Sequence, residues 1–530
     1  MKNRDYLFLY LIAVLVISAA GILQRSAGYM DAEYYAVIGS GIRSGTGFTQ
    51  NFLWNYLDDP IGIPHPSNTY WMPLASILSA ISFTFNLAGQ KTTIWVLNIF
   101  FSALIPVITA WITIRFTKRR SDAWVTGFLA IFSGFYLLYY AIPETFSLSM
   151  VFGSVLIILL SKNGTESTNK NRYLLRWVFV GIAAGFLHMT RAEGLLWIAI
   201  SAGYLIYLSH KQRDFQTGFA SALCLITGYL LISGAWYLRN LQIWDQPFPP
   251  GTNRALWITN YDQTFSFPAS LLTFQHWAAQ GIEMMLSSRA DAFWINIKSI
   301  IAVQGGILLF PFIIGGWWLY RKDSHLVLVA VYYSIVFFIM TVVFPFAGSR
   351  GGFIHSAAGI QPFLWAMVPI GLDKFIRFGE RKRGWALEEA RRVFQIGLVI
   401  IMILLTSIIF YQRVIVNENG ISTWLAEERH YQNIFQELKT NINFNSESMV
   451  LVKNPPGWFL ITGSRAIVIP DGDETTLKNA AQKFGASILI LEKDHVKGLD
   501  PIYHSSTSTI GLKRIMEIGD TQVFQFPSLK

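Results

Sequence analysis

Two carboxylates lie two positions apart in the stretch GYMDAEYY, which starts at residue 28 and directly follows the first strongly apolar run of the chain. They are Asp31 and Glu33, and a third acid, Glu144, follows Pro143 at the end of a later apolar run. A charged side chain next to hydrocarbon is costly, so such residues are functional candidates. A carboxylate in that position can act as a general base. The sequence therefore predicts that Asp31, Glu33 and Glu144 are catalytic.

Basic side chains accompany these acids at the same predicted membrane face. Arg191 lies between His188 and Glu193 in HMTRAEG, and Arg350 and His355 flank two glycines in GSRGGFIH. Cationic side chains neutralise a phosphate, and glycines let backbone amides approach one closely. We therefore expect the phosphate of an amphiphile to bind among Arg191, Arg239, Arg350 and His355. The alternative is that these are solvated loop charges, that Arg191 is a snorkelling anchor and that the glycines form a plain tight turn.

A scaffold embedded in the membrane must hold these residues. Of the 530 residues, 52% are hydrophobic and 14% are charged, which is too apolar for an ordinary soluble enzyme. A bilayer core takes about 20 apolar residues per helix. Apolar runs of that kind predict an all-α polytopic membrane domain with about 11 transmembrane helices, at residues 6–23, 92–114, 123–142, 146–160, 173–189, 194–208, 218–238, 297–320, 326–346, 356–372 and 393–411.

The net charge of +10 does not indicate nucleic-acid binding, because Lys and Arg lie in short clusters between apolar runs and form no basic face. The single cysteine, Cys224, lies in an apolar run, so neither a disulfide framework nor a thiolate metal site is available. The basic clusters instead set the topology, since cytoplasmic loops collect Lys and Arg.

A further apolar stretch, residues 70–88, decides the orientation of the rest. The basic clusters occupy every second loop, and they share the side of Lys2 and Arg4 only if this stretch does not cross the membrane. Tyr70 and Trp71 at its start suit an interfacial helix, because aromatic rings favour the headgroup level. We therefore expect residues 70–88 to lie at the outer interface or to re-enter.

This orientation places two long loops outside the cytoplasm, at residues 24–91 and 239–298. The sequence predicts a multi-pass protein of the cell membrane whose active site is extracytoplasmic. The first apolar run is either an uncleaved helix, which we favour, or a signal peptide, and both leave Asp31 outside.

The last part of the chain changes character. SMVLVKN, RAIVIP and ASILILEK are typical of strands, while STWLAEERHYQNIFQELK and TTLKNAAQKFGA are typical of amphipathic helices. We expect residues 413–530 to form a small extracytoplasmic α/β domain after a membrane domain at residues 1–412. No glycine-rich phosphate loop follows any of these predicted strands, so the tail does not indicate nucleotide binding.

Five stretches occur in an order that resembles a known family. They are DAEYYAVIGSGIRSGTGF, PHPSNTYWMPLASIL, PETF, TRAEGLL and GSRGGFIHSAAGIQPFLW. Together they look like the glycosyltransferases of the GT-C fold that use polyprenyl-phosphate sugars, which include the aminoarabinose transferases of lipid A and the protein O-mannosyltransferases. The resemblance covers about the first 410 residues. The tail is loosely similar to the outer domains of some members.

The resemblance implies roles for individual residues. An acid just after the first helix acts at the sugar in this family, and Asp31 matches that position. Members often carry a second acid immediately after it, whereas here Ala32 precedes Glu33. Glu144 matches the acidic position of the second outer loop. A basic residue before the proline of the interfacial helix often faces the donor phosphate, and His65 takes that place.

Further positions follow from the same resemblance. Arg191 in TRAEG matches a recurrent stretch of the family. We expect the sugar or the acceptor to contact Tyr34, Tyr70, Trp71 and Glu193.

These expectations combine into one reaction, the transfer of a sugar from a polyprenyl-phosphate-linked donor to an acceptor at the extracytoplasmic face. A polyprenyl phosphate leaves readily if a cation offsets its charge, so the enzyme chiefly needs a base behind the anomeric carbon. Asp31 is the expected base, and by the logic of inverting glycosidases the transfer inverts that carbon. The acceptor is a lipid, a glycan or a protein, and no nucleic acid is involved.

Two alternatives stay open. A divalent cation could bridge Asp31, Glu33 and Glu144, since hard cations take carboxylate oxygens. The family members that this chain follows more closely generally use none, so we expect no metal and no other cofactor to be required. The chain could also be a lipid or small-molecule transporter or flippase. Such proteins commonly have internal repeats and charges near the membrane midplane, whereas the charges here gather at the outer edge.

Overall fold

The computed structural model of the protein describes residues 1–85, 95–161, 170–415, 423–442, 444, 448–505 and 509–527. The end of the first predicted outer loop, residues 86–91, lies outside the described residues. Helices make up most of the chain before residue 415, and a mixed sheet forms the centre of the tail.

The helices before the tail vary widely in length, and several are joined by single 3₁₀ or π turns. In chain order they are α1 (Asn3–Gln24), α2 (Met30–Ser44), α3 (Leu74–Thr84), α4 (Val96–Thr117), α5 (Arg120–Ile131), α6 (Phe146–Ser161), α7 (Lys170–Thr190), α8 (Leu195–Gln212), α9 (Phe215–Trp244), α10 (Gly251–Arg254), α11 (Phe274–Ala279), α12 (Gly281–Ser299), α13 (Phe310–Tyr320), α14 (Ser324–Phe338), α15 (Pro345–Ala347), α16 (Phe353–Ala357), α17 (Gln361–Arg383) and α18 (Leu387–Phe410).

The described residues contain eight helical segments that are long and apolar enough to cross a membrane. They are Asn3–Gln24, Val96–Thr117, Lys170–Thr190, Ala192–Gln212, Phe215–Trp244, Ser324–Val343, Pro345–Arg383 and Leu387–Ile415. Large apolar side chains such as Leu15 and Leu231 point outward from these helices and are 70% and 68% exposed. Only lipid makes such a surface stable, so the protein is a multi-pass membrane protein.

Three further predicted spans form shorter helices, which are α5, α6 and α13. After α5 the chain turns at Gly134, whose φ of 66° glycine adopts without steric cost, and the 3₁₀ turn Tyr136–Tyr139 follows. The π turn Ile300–Gln304 separates α12 from α13. The eight long spans of the described residues and these three helices together account for the eleven apolar runs.

The stretch predicted to lie at the interface forms α3, which has 11 residues. At 1.5 Å per residue this helix is about 16 Å long, about half of the hydrocarbon thickness. It packs closely on α2, because a Cβ placed on Gly39 would lie 2.5 Å from Cβ of Ser79. Helix α3 is therefore too short to cross the membrane.

One end of the membrane helices is held by ion pairs. Arg120 Nη2 donates to Asp5 Oδ1 at 2.7 Å. Asp373 Oδ1 accepts hydrogen bonds from Arg119 Nη1 at 3.1 Å and from Arg391 Nη2 at 2.7 Å. The start of α1 and the basic residues Arg119, Arg120 and Arg391 therefore lie at the same end of the helices.

The tail and the first outer loop share one sheet. The helices of the tail are α19 (Thr423–Asn441), α20 (Pro455–Thr462), α21 (Glu474–Phe484) and α22 (Asp500–Ser505). The strands of the chain are β1 (Thr49–Gln50), β2 (Phe52–Leu53), β3 (His65–Pro66), β4 (Met449–Val452), β5 (Ala466–Val468), β6 (Ala486–Leu491), β7 (Lys513–Ile518) and β8 (Thr521–Gln525).

The six-stranded sheet has the order β2-β5-β4-β6-β8-β7, with parallel pairs from β2 to β6 and antiparallel pairs from β6 to β7. Its edge strand β2 comes from the first outer loop and pairs with β5, Phe52 opposite Ala466. The core under this sheet also continues onto α2, where Tyr34 and Ile38 join Val450 and Leu489. The sheet domain therefore includes residues far from the tail in sequence.

Candidate functional site

Asp31, Glu144 and His355 come from three distant segments and meet at one point. Asp31 lies in the first turn of α2, Glu144 lies two residues before α6, and His355 lies in α16. One carboxylate oxygen of each acid and one imidazole nitrogen all lie within 4.8 Å of one another. The structure therefore brings together two of the predicted catalytic acids and one of the predicted phosphate-binding residues.

Local hydrogen bonds fix Glu144. Its Oε1 accepts from the Thr145 backbone amide at 2.5 Å and from Thr145 Oγ1 at 2.7 Å. Its Oε2 is buried and has no partner among the described residues. Burial raises the pKa of Glu144, while the bonds from Thr145 and the charge of Arg191 oppose that rise. Glu144 thus keeps one oxygen free to accept a hydrogen bond from a substrate.

His355 is oriented by the same threonine. Its Nδ1 lies 3.2 Å from Thr145 Oγ1 and 3.6 Å from Glu144 Oε1, and its ring stacks flat on Phe146 with centroids 4.0 Å apart. The only hydroxyl hydrogen of Thr145 is directed to Glu144, so a neutral His355 donates from Nδ1. This leaves Nε2 of His355 as an acceptor.

Asp31 has the environment of a general base. Burial raises the pKa of Asp31 to about 6, against the opposing charge of Arg191. The start of α2 also places the positive end of the helix dipole near this carboxylate. A base whose pKa lies just below neutrality is ionised at pH 7 and still accepts a proton readily.

Arg191 is the cation that faces these acids. It forms an ion pair with Glu193, whose Oε1 also accepts from Ser356 Oγ at 2.8 Å. Burial alone would lower the pKa of Arg191, but the charge and hydrogen bond of Glu193, together with Tyr35 and Glu144, outweigh burial and hold the pKa above its ordinary range. The charge of Arg191 in turn lowers the pKa of both Asp31 and Glu144. Arg191 is therefore a permanent positive charge beside two carboxylates.

A second cation lies at Arg350, in a kink where Gly351 has a φ of 107°. Its guanidinium lies over the ring of Tyr261, 4.1 Å from the centroid. Burial raises the pKa of Tyr261. The charges of Arg350 and Lys453 lower this pKa, and the charge of Asp31 raises it. Tyr261 thus lies within electrostatic reach of Asp31, of Arg350 and of Lys453 from the tail.

No protein-family model matches the chain, and no curated protein matches it. Among solved structures, ArnT from Cupriavidus metallidurans bound to undecaprenyl phosphate is similar, with a TM-score of 0.55 and 12% identity over 100% of this chain and 99% of its own. Its apo state gives a TM-score of 0.54 at 12% identity, over 97% of both chains. The archaeal oligosaccharyltransferase AglB from Archaeoglobus fulgidus, in complex with an inhibitory peptide and a dolichol-phosphate, gives 0.55 at 12% identity over 92% of this chain and 69% of its own.

The chain has the GT-C fold. The fold class predicted from the sequence, a polytopic helical domain followed by a small α/β domain, is confirmed. At 12% identity the likeness concerns the fold, and the roles of individual residues depend on the geometry of this site.

The GT-C scaffold directs Glu33 away from Asp31. Residues two positions apart on a helix, such as Asp31 and Glu33, are separated by about 200° around its axis, so their carboxylates point in different directions. Glu33 is 5% exposed, and its Oε2 accepts from Asn454 Nδ2 at 2.7 Å. Burial raises the pKa of Glu33, and repulsion from Glu427 adds to that rise. The structure therefore does not group Glu33 with Asp31 and Glu144.

Two predicted phosphate-binding residues are engaged within the protein. His65 Nε2 pairs with Asp58 Oδ2 at 2.8 Å inside the first outer loop. Arg239 donates to the carbonyl oxygens of Phe48 at 3.2 Å and Ser67 at 2.9 Å, and its guanidinium lies 4.3 Å from the ring centroid of Trp236. Both His65 and Arg239 therefore form contacts that stabilise the first outer loop.

The predicted sugar contacts also divide into two groups. The hydroxyl of Tyr34 accepts from the backbone amide of Asn68 at 2.5 Å, and Trp71 stacks on Trp54 with centroids 4.0 Å apart. Both are buried in the first loop. Tyr70 lies within the fields of Arg191 and Asp31, and burial raises the pKa of Tyr70 to about 12. Tyr70 and Glu193 therefore border the acid cluster.

Sequence reasoning missed several residues of the site. Thr145 and Phe146 belong to the quoted stretch PETF, so their neighbourhood to Glu144 was available from the sequence. Tyr261 lies in the second outer loop and Lys453 in the tail, and both are more than 100 residues from each of the predicted catalytic acids. Only the tertiary structure brings Tyr261 to Arg350 and into the field of Lys453.

A divalent cation could be held by Asp31, Glu144 and His355, because each offers one ligand atom within 4.8 Å of the others. Two oxygens and one nitrogen suit several divalent metals. Arg191 already supplies a positive charge to both carboxylates and would repel a second cation. That no metal is required stays a prediction for this GT-C chain.

Proposed function

We propose that this protein transfers a sugar from a polyprenyl-phosphate-linked donor to a lipid, glycan or protein acceptor at the extracytoplasmic face of the cell membrane. The observation that carries the proposal is the meeting of Asp31, Glu144 and His355 within 4.8 Å, in a GT-C fold and in the field of Arg191. A glycosyltransferase needs such a base beside a cation.

The proposed step is a single displacement. The hydroxyl or amine of the acceptor attacks the anomeric carbon, and its proton passes to Asp31. The bond between the anomeric carbon and the phosphate oxygen breaks, and the polyprenyl phosphate leaves with the electron pair. Attack from the face opposite the leaving group inverts the anomeric carbon.

Arg191 and Arg350 are the cations that we assign to the leaving phosphate. Arg191 is half-buried beside the acids, and Arg350 is exposed and lies over Tyr261. A fixed cation stabilises the charge that develops on the phosphate oxygens without the need for a proton. Oε2 of Glu144 is buried without a partner among the described residues, and we assign to it a hydrogen bond from the acceptor or from a sugar hydroxyl.

The bound molecules of the similar structures support a lipid-linked donor. The ArnT structure contains undecaprenyl phosphate, and the AglB complex contains a dolichol-phosphate together with an inhibitory peptide. Both molecules are polyprenyl-type lipids with a phosphate, which is the leaving group of the proposed reaction.

Charge placement supports the orientation. The basic clusters around Arg119, Arg120 and Arg391 lie with Asp5 at one end of the helices, whereas Asp31 and Glu144 lie in loops that this topology assigns to the other end. Because Lys and Arg collect on the cytoplasmic side, the acids face the outside.

The test uses the purified protein in liposomes with a panel of polyprenyl-phosphate sugars and a membrane extract as the source of acceptor. The readout is free polyprenyl phosphate, which does not depend on knowing the acceptor. Asp31→Asn should lower its release about a hundredfold or more. The matched control is Asp245→Asn, an exposed outer-loop residue with a φ of 56° that asparagine tolerates.

The outcomes separate the proposal from its rival. A transporter or flippase would move the donor across the bilayer with its sugar-phosphate bond intact, and that result contradicts the proposal. Cleavage that is unchanged in Asp31→Asn keeps the reaction but refutes the base.

A further inference from the structure

Hydrogen bonds connect the tail to both long outer loops. Strand β2 of the first loop is an edge strand of the tail sheet. The backbone amide of Asp471 donates to the carbonyl oxygen of Phe265, in the second loop, at 3.0 Å. Ser26 Oγ donates to the carbonyl oxygen of Trp424 at 3.1 Å, and Trp424 Nε1 donates to the carbonyl oxygen of Ser26 at 3.2 Å. The tail is therefore built into the outer face of the protein.

Asn454 adds a side-chain link to the helix that carries Asp31. Its Oδ1 accepts from the Gly457 amide at 3.1 Å and caps the start of α20. Its Nδ2 donates to Glu33 Oε2 and to Glu427 Oε1, both at 2.7 Å. Asn454 is 4% exposed, and its bonds to Glu33 and Gly457 are buried, while the bond to Glu427 is partly buried. The amide uses its acceptor and its donors at once, which a carboxylate of the same shape cannot do.

The backbone of α20 also lies directly against Glu33. A Cβ placed on Gly457 would lie 2.7 Å from Glu33 Oε2 and 2.6 Å from Asn454 Nδ2. The site thus has no room for one methyl group between α20 and α2.

The first turn of α2 is held by the tail on a second side. Gly28, with a φ of 84°, lies so close to the indole of Trp424 that an added Cβ would overlap it at 1.8 Å. Tyr29 contacts the same indole, with ring centroids 6.4 Å apart. Asp31 therefore lies between two contacts of the tail, Trp424 before it and Asn454 at Glu33 after it.

We infer that Asn454 is a positioning residue of the active site, which locks the C-terminal domain onto the first turn of α2 and so fixes the direction of the Asp31 carboxylate. The inference rests on the proposed function only in naming Asp31 as the base. A misplacement of about 1 Å at a reacting group costs about a hundredfold in rate. The tail therefore helps to position the residues of the active site.

The decisive variant is Asn454→Asp, which keeps the cap on Gly457 but turns a donor into a third carboxylate beside Glu33 and Glu427. Hydrogen exchange of residues 28–36, followed by mass spectrometry at one pH, reports the first turn of α2 directly. We expect exchange there to rise about tenfold in this variant. The control is Asn441→Asp, the same change at an exposed residue of α19 whose Nδ2 donates to Glu437 Oε2 at 3.2 Å.

A complementary variant tests the hydrogen bonds themselves. Combining Asn454→Asp with Glu33→Gln and Glu427→Gln reverses each donor and acceptor, because the two new amides donate to the new carboxylate. We expect this combination to restore protection of residues 28–36 and turnover together. Gly457→Ala should loosen the same turn by its added methyl, whereas Gly203→Ala, which has open space around it, should not.

Activity supplies the second readout. Asn454→Asp should lower kcat about tenfold to a hundredfold and leave the KM for the donor unchanged, because Arg191 and Arg350 are not held by Asn454. An unchanged hydrogen-exchange rate at residues 28–36 in Asn454→Asp overturns the inference. Faster exchange there with a wild-type kcat also overturns it. The exchange result does not need turnover, so it remains interpretable even if Asp31→Asn proves fully active and the proposed reaction fails.

Discussion

Nδ1 of His355 lies 3.6 Å from Oε1 of Glu144, and the hydroxyl of Thr145 lies within hydrogen-bonding distance of both. The contact joins two segments more than 200 residues apart in the sequence. The second oxygen of Glu144 is buried and has no hydrogen-bond partner among the described residues. We propose that this oxygen accepts a hydrogen bond from the substrate.

Replacing Glu144 by glutamine should lower kcat at least tenfold. The glutamine oxygen can keep the bonds from Thr145, but the group loses the negative charge that would hold an acceptor hydroxyl or ammonium. Initial rates of polyprenyl phosphate release measure the effect. Glu283→Gln, at an exposed position of the second outer loop, serves as the control, and equal rates in both variants would remove Glu144 from the mechanism.

The pH profile should report Asp31. A general base works when ionised, and the pKa of Asp31 is raised to about 6 by burial. Activity should therefore be full above about pH 7 and fall about tenfold per unit below pH 6. Rates measured across this range in the wild type and in Asp31→Asn check the assignment. An acid limb that persists unchanged in Asp31→Asn would belong to another group.

Arg191→Gln should shift this acid limb to higher pH. The charge of Arg191 lowers the pKa of Asp31 and of Glu144, so its removal leaves both acids harder to ionise. The KM for the donor should also rise about tenfold, since a phosphate contact is lost. Arg191→Lys keeps the positive charge, so its acid limb should stay near the wild-type pH. Arg213→Gln, at an exposed arginine between α8 and α9, should change neither the acid limb nor the KM for the donor.

Arg350→Gln should raise the KM for the donor about tenfold with little change in kcat. Its guanidinium lies over Tyr261 and forms no ion pair among the described residues, so it is open to a phosphate. Tyr261→Phe should retain most of the affinity, because the ring that supports Arg350 remains. An unchanged KM in Arg350→Gln would place the donor phosphate elsewhere.

Activity should survive a strong chelator. Arg191 supplies positive charge to Asp31 and Glu144, which removes the need for an ion between them. Turnover is measured before and after incubation with EDTA and dialysis. Loss of activity that returns with a divalent metal would show that Asp31, Glu144 and His355 hold an ion instead.

Much of the membrane architecture could be predicted from local properties of the sequence. Apolar runs of sufficient length gave the helices, and the alternation of basic loops indicated that residues 70–88 do not cross. The structure agrees, since α3 has 11 residues and Arg120 donates a hydrogen bond to Asp5 near the N-terminus. Hydropathy and charge act residue by residue in a bilayer, so no long-range contact is needed to infer them.

The acid cluster could be predicted only in part. Asp31 and Glu144 were identifiable because both are acids at the end of an apolar run. Glu33 looked equivalent in sequence, but α2 turns its side chain to Asn454, which lies 421 residues away. His65 and Arg239 likewise looked available for a phosphate, and each is engaged inside the first outer loop.

The sequence by itself determined the class of scaffold and the kinds of charged groups at its outer face, because both follow from composition and from periods of a few residues. Only the tertiary structure decided which charged groups share a site and that the tail holds the helix of Asp31. Those pairings join segments hundreds of residues apart, and they depend on the packing of helices and sheet rather than on any local pattern.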